Sequence, residues 1–147
     1  MTHNSGPAHC AAILIEASAT RAFDFLADPL QLGTWSLGCM NTRQVSADGL
    51  YMGHSLYDDA PAHFKIHAVR DLLLIDYWVG PADRLVPRIS ARVMPGKTND
   101  LDAERCYVSL MAWRSARMSD AKWQQLCTAH EAEVWLLKAR IEGVVPK

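Results

Sequence analysis

His130 is the residue whose setting best suits acid–base chemistry. It recurs with Trp123, Leu126, Cys127, Val134, Leu137 and Ile141 at spacings of three and four, which on a helix places them all on one apolar face. An imidazole titrates near neutral pH and can donate one hydrogen bond while accepting another. That suits a general acid or base, or a contact to a hydroxyl or carbonyl on a bound molecule. The alternative is a packing histidine bonded to one backbone carbonyl or water. Burial lowers its pKa unless a carboxylate is in reach, and Asp76 is the carboxylate considered. His130 and Asp76 are therefore the candidate catalytic residues.

A second group depends on strand parity, because alternate side chains of a strand face opposite ways. In one register Phe64, Ile66, Ala68, Leu73, Ile75, Tyr77, Ile89, Ala91, Val93, Val108, Leu110 and Ala112 form a coherent apolar inner face. Lys65, Asp76, Arg88 and Arg92 then stand outside as a ladder of opposite charges. In the other register Asp76, Trp78, Arg88, Ser90, Arg92, Tyr107, Met111 and Trp113 turn inward. The arginines could then hold a carboxylate, phenolate or carbonyl, at the cost of burying two guanidinium groups opposite one aspartate. Candidate ligand contacts drawn across both registers are Tyr77, Arg88, Arg92 and Trp113, joined by Trp35, Tyr51, His54 and His130. Tyr51 and His54 would sit at the mouth of a cavity or alternate on a half-exposed strand, and Trp35 would touch ligand or simply pack.

His54, Asp58, His63 and His67 invite comparison with a metal site. On one strand, however, His63 and His67 are about 13 Å apart at ~3.3 Å per residue, too far to share an ion. Cys10, Cys39, Cys106 and Cys127 form no CxxC pair, so they are expected to be reduced, packed thiols. Glycine-rich phosphate loops, nucleophile elbows and nucleotide fingerprints are absent from the sequence. The expectation is a chain that needs no metal and no cofactor.

The elements that must position these residues follow from periodicity. Residues 1–8 are polar and expected to be flexible, leaving 9–143 as one domain. His9–Ile15 reads as a strand. Ser18 caps a helix bearing Phe23 and Leu26, which Pro29 ends or turns into a second short helix. From Asn41 to Arg114 the texture is strand and turn, with Asp48-Gly49 as a hairpin signal and strands at His63–Val69, Leu72–Val79, Leu85–Met94 and Arg105–Arg114. Near residue 118 the period switches, and Ser119 caps a long helix to about Glu142, stopped by Gly143 with Pro146 beyond. This predicts an α+β fold: a curved antiparallel sheet of about seven strands gripping the C-terminal helix. Two short helices after the first strand would plug one end and leave an internal cavity.

The segment IEASATRAFDFLADPLQLGTW, with Asp28, Pro29, Leu32 and Trp35 at its end, resembles the opening of the START-like or SRPBCC superfamily, and the element order matches along nearly the whole chain. The resemblance implies a helix-grip fold. Members include polyketide cyclases and aromatases, lipid and hormone carriers, and co-chaperones, so fold alone selects no activity.

Fifteen Lys and Arg against sixteen Asp and Glu give no basic stripe for nucleic acid. The near-neutral balance is compatible with a homodimer. With no signal sequence and no apolar run long enough to span a bilayer, the expected location is cytoplasmic. Three functions compete: binding of a small hydrophobic or aromatic molecule in the cavity; a cyclase or dehydratase using His130 or Asp76 with an arginine or tyrosine; and an interaction module docking through an aromatic outer sheet face.

Overall fold

A computed structural model describes residues 6–143. Pro146 and residues 1–5 of the segment expected to be flexible lie outside the described residues. The elements are β1 (Ala8–Ile15), α1 (Ala19–Leu26), α2 (Pro29–Leu32), β2 (Met40–Gln44), β3 (Tyr51–His54), β4 (Pro61–Val69), β5 (Leu74–Gly80), β6 (Val86–Pro95), β7 (Cys106–Trp113) and α3 (Asp120–Glu142). The strands form one seven-stranded antiparallel sheet in the order β1-β7-β6-β5-β4-β3-β2. β1 and β2 are thus opposite edges, and α1 and α2 carry the chain across from one to the other. The expected α+β grip of sheet around helix is the observed architecture.

Local chemistry fixes the helix ends. The hydroxyls of Ser18 and Ser119 accept hydrogen bonds from the backbone N–H of Arg21 and Lys122, both at 3.2 Å, satisfying donors that a helix start leaves free. Gly143 closes α3 with a left-handed φ of 78°, a conformation glycine adopts without a Cβ clash. Leu72–Val79 departs from expectation, since β5 begins only at Leu74. Leu72 belongs to a turn, and Leu73 takes a left-handed φ of 51° with its N–H donating to Arg70 O at 3.0 Å.

Sheet register settles the parity. Tyr77 stands opposite Ile89, Ile75 opposite Ala91, Ala91 opposite Leu110 and Val93 opposite Val108. All of these except the half-buried Ile89 are buried, and they pack with Phe23, Leu26, Leu137 and Ile141 into the main core. Each fully buried aliphatic side chain contributes about 1.5–3 kcal/mol, so this face holds α1 and α3 against the sheet. Asp76, Ser90 and Met111 share the opposite face, as do Leu74, Arg92 and Ser109. Among the described residues no helix is long and apolar enough to cross a membrane.

Candidate functional site

Between the concave sheet and the middle of α3 lies a cavity of about 460 Å³. Its walls come from the segment after α2, from β4, β5 and β6, and from α3. Three of the sequence candidates meet there: Trp35, Tyr77 and His130. Trp35 is aimed by the turn that ends α2. Asp28 caps α2, Pro29 starts it, and the Thr42 hydroxyl donates to Pro29 O at 2.7 Å, tying β2 to that turn. The Trp35 and Tyr77 rings meet edge to face at 6.0 Å, and the Tyr77 hydroxyl donates to Leu26 O at 2.7 Å.

The decisive side chain is one the sequence reasoning missed. Glu133 follows His130 by one helical turn, is 3 % exposed, and lines the cavity beside it. Its Oε2 accepts the Leu37 backbone N–H at 2.7 Å, and its Oε1 lies 3.8 Å from His130 Nε2. Burial raises the Glu133 carboxyl from 4.5 to about 7, with the Leu37 N–H pulling the other way. Burial, and after it the nearby His9, lower the His130 imidazole from 6.5 to about 4. Although the separation falls within ion-pair range, both directions disfavour charge, because each group loses more hydration than the other returns across 3.8 Å. Near neutral pH the pair is therefore a neutral imidazole beside a carboxyl poised to gain or lose its proton. Among the described residues, His130 Nδ1 and Trp35 Nε1 are buried without a hydrogen-bond partner, on two side chains that line the cavity.

The other candidates lie elsewhere. Asp76 sits on the outer sheet face between His67 and Ser90, so the carboxylate in reach of His130 is Glu133. Arg88 donates to Trp113 O at 3.3 Å and Arg92 to Leu72 O at 2.9 Å; both belong to the outer face, as does Trp113, which is 52 % exposed. The structure does not bring these four to the cavity, because the apolar set on the opposite parity occupies the inner face. Tyr51 stacks on Phe64 at 5.7 Å, one ring behind the wall that Phe64 forms. His54 ends β3 opposite Pro61, a lining residue, but does not itself line the cavity. Cys39 also faces the cavity, but burial pushes its thiol up to about 12, which excludes a thiolate nucleophile at neutral pH. No group of three or more His, Cys, Asp or Glu among the described residues could hold a metal ion.

A second, more polar cavity of about 290 Å³ adjoins the first and shares His130 and Glu133 with it. It extends to Tyr57, Asp58 and Lys122, between the β3–β4 connection and the first turn of α3. The acid and the imidazole thus stand where an apolar chamber meets a polar vestibule.

Solved structures share this architecture. XoxI from Bacillus cereus superposes with a TM-score of 0.71 at 10 % identity, over 95 % of this chain and 98 % of its own. A START superfamily protein from Mycobacterium smegmatis gives 0.68 at 10 % identity, over 95 % of this chain and all of its own. The di-domain ARO/CYC StfQ from the steffimycin biosynthetic pathway gives 0.62 at 14 % identity, over 90 % of this chain and 44 % of its own. No protein-family model matches the sequence, and no curated protein matches it. At these identities the likeness is one of fold: the chain has a START-like, helix-grip fold.

Proposed function

We propose that the protein binds a small hydrophobic or aromatic molecule in the cavity beneath α3. The observation that carries this reading is the cavity itself, whose volume of about 460 Å³ lies within the ~300–1,000 Å³ usual for small-molecule sites. Its wall is mostly apolar, with Glu133, His130 and Trp35 among the few side chains that bring polar groups to it. The START superfamily protein among the structural neighbours supports the same reading by fold. Calorimetric titration with neutral naphthalene derivatives tests it. Saturable one-to-one binding is expected, and Ala62→Trp, which places an indole in the cavity wall, should abolish it. Absence of binding, or binding indifferent to Ala62→Trp, overturns the reading.

A second reading is an acid–base enzyme of the cyclase or dehydratase type, and Glu133 favours it. A buried carboxyl titrating near 7 is matched to proton transfer at physiological pH. In this reading Glu133 takes the role that the sequence offered to Asp76, and His130 accepts or donates a hydrogen bond beside it. The ARO/CYC neighbours point the same way by fold alone. Loss of turnover in Glu133→Gln with retained substrate binding is the expected result; unchanged turnover removes this reading.

A further inference from the structure

The inner cavity has an unbalanced charge inventory. Among the described residues its lining includes one acid, Glu133, and no lysine or arginine. The two histidines that line it are His63 and His130, and burial keeps His130 neutral. One carboxyl oxygen of Glu133 is held by the Leu37 N–H, while the other has, among the described residues, no partner closer than the imidazole at 3.8 Å. Rings of Trp35, Phe64 and Tyr77 complete the wall. A buried carboxylate without a cation is costly, and a cation entering against aromatic faces gains from ring and carboxylate together.

We propose that the cavity selects molecules carrying a basic amine, with the Glu133 carboxylate as counter-ion and the Trp35, Phe64 and Tyr77 rings around the body of the ligand. This deepens, and rests on, the cavity-binding reading above. An anionic ligand would meet Glu133 with no lysine or arginine among the described lining residues to offset it. A neutral hydroxyl or carbonyl gains one hydrogen bond, whereas an ammonium gains a charge-assisted one. No lysine or arginine among the described lining residues supplies a counter-charge to Glu133. Tyr77 of β5 and Tyr57 of the β3–β4 connection are both held further into their neutral forms, by burial and then by Glu133 itself. Cys39 stays a thiol. His63 of β4 lies on the same wall, and His9 of β1 reaches the site only through His130. Lys122 belongs to the vestibule, where its charge acts on Asp58.

Three probes of one shape test this: 2-(2-naphthyl)ethylamine, 2-(2-naphthyl)ethanol and 2-naphthylacetate, titrated calorimetrically into the full chain. At pH 8 the amine should bind at least tenfold tighter than the alcohol, as a charge-assisted bond in place of a neutral one implies, and the acetate should bind weakest. Below pH 7 the amine must displace the Glu133 proton, so its affinity should fall about tenfold per pH unit while that of the alcohol stays level. Proton release on amine binding at pH 6, read from buffers of different ionisation enthalpy, should approach one. Glu133→Gln should bring the amine-to-alcohol ratio to about one. An amine no tighter than the alcohol, or a preference that survives in Glu133→Gln, overturns the proposal and leaves cavity binding standing. Failure of all three probes overturns cavity binding itself. Should Glu133→Gln fail to fold, the pH dependence in the unmodified protein decides.

Discussion

Folding should move a proton from His130 to Glu133 without net uptake, and single substitutions should expose it. In the unfolded chain between about pH 4.5 and 6.5 the glutamate is ionised and the histidine protonated. In the folded chain both are neutral, since Glu133 titrates at about 7 and His130 at about 4. Each displacement is worth about 3 kcal/mol at roughly 1.4 kcal/mol per pH unit. The two signs are opposite. His130 has a depressed folded pKa, so its contribution is fully present above the unfolded value of 6.5 and is lost as pH falls to about 4. Glu133 has a raised folded pKa, so its contribution is fully present below the unfolded 4.5 and is lost as pH rises through about 7. Their pH slopes cancel, and the pair costs the fold about 3 kcal/mol throughout that window.

Each single variant leaves one half of the pair unopposed. Glu133→Gln keeps an acceptor for the Leu37 N–H and leaves His130 alone, so relative to the unmodified protein its stability should climb by about 3 kcal/mol from pH 4 to 7. His130→Asn leaves Glu133 alone, and its relative stability should fall by about the same amount over the same range. Urea unfolding followed by far-ultraviolet circular dichroism at half-unit pH steps measures both, and imidazole ¹⁵N shifts report the protonation of His130 directly. An ion pair in the fold would reverse the pattern. Glu133 would then be lowered and His130 raised, stability would drop on both sides of neutrality, and His130 would be an imidazolium at pH 6. Slopes of the same sign in the two variants, or a protonated His130, would refute the reasoning.

Three further outcomes are expected. Tyr77→Phe removes the donor to Leu26 O and should lower unfolding stability by about 1–2 kcal/mol, read from the urea midpoint; an unchanged midpoint would show that bond to be idle. Gly53→Ala sets a Cβ 2.6 Å from Met40 O and 2.8 Å from Cys39 Sγ, so it should cost about 1–3 kcal/mol of overpacking strain and broaden signals of the β2–β3 edge by NMR. With Cys10 exposed, Cys39 half-buried, Cys106 and Cys127 buried, and desolvation raising the thiols of the last three, a disulfide reagent at pH 8 should label one thiol rapidly, and Cys10→Ser should remove that phase; a second rapid phase would contradict the shielding of the others.

The fold was legible because its signals are local and agree with one another. Ser18 and Ser119 cap helices, Asp48-Gly49 turns a hairpin at a Gly49 φ of 89°, and the period changes once before α3. Leu72 and Leu73 misled because an unbroken LLLI run looks like strand while the turn depends on a leucine taking a left-handed φ, which composition does not announce. Parity was undecided because both faces of β5–β7 carry aromatic residues. The structure chooses the face on which the Tyr77 hydroxyl finds Leu26 O and α1 packs over β5, β6 and β7, so Asp76, Arg88, Arg92 and Trp113 go outward. Glu133 escaped for a geometric reason. Val134 already continues the stripe from His130, and on a helix neighbours 133 and 134 differ by only about 100°. Both can face inward where the groove is wide, and the width is set by the sheet's curvature rather than by α3. A charged residue one turn from His130 and one turn from Leu137 was the available signal.

The same geometry bears on whether the site binds or reacts. Proton transfer needs a group that changes state at working pH, and Glu133 qualifies. A second group must then stabilise charge developing on the substrate. The Tyr77 hydroxyl is committed to Leu26 O, Cys39 stays a thiol, and the arginines are outside the cavity. What remains is the Trp35 indole N–H and the neutral His130 imidazole, both uncharged. Two neutral donors give modest stabilisation of an oxyanion, but they do orient a ligand whose own charge Glu133 neutralises. A single titrating carboxyl in a wall that has no lysine or arginine among the described residues is thus better matched to holding a cation than to stabilising an anion, which favours the proposed ligand binding over anion-forming catalysis.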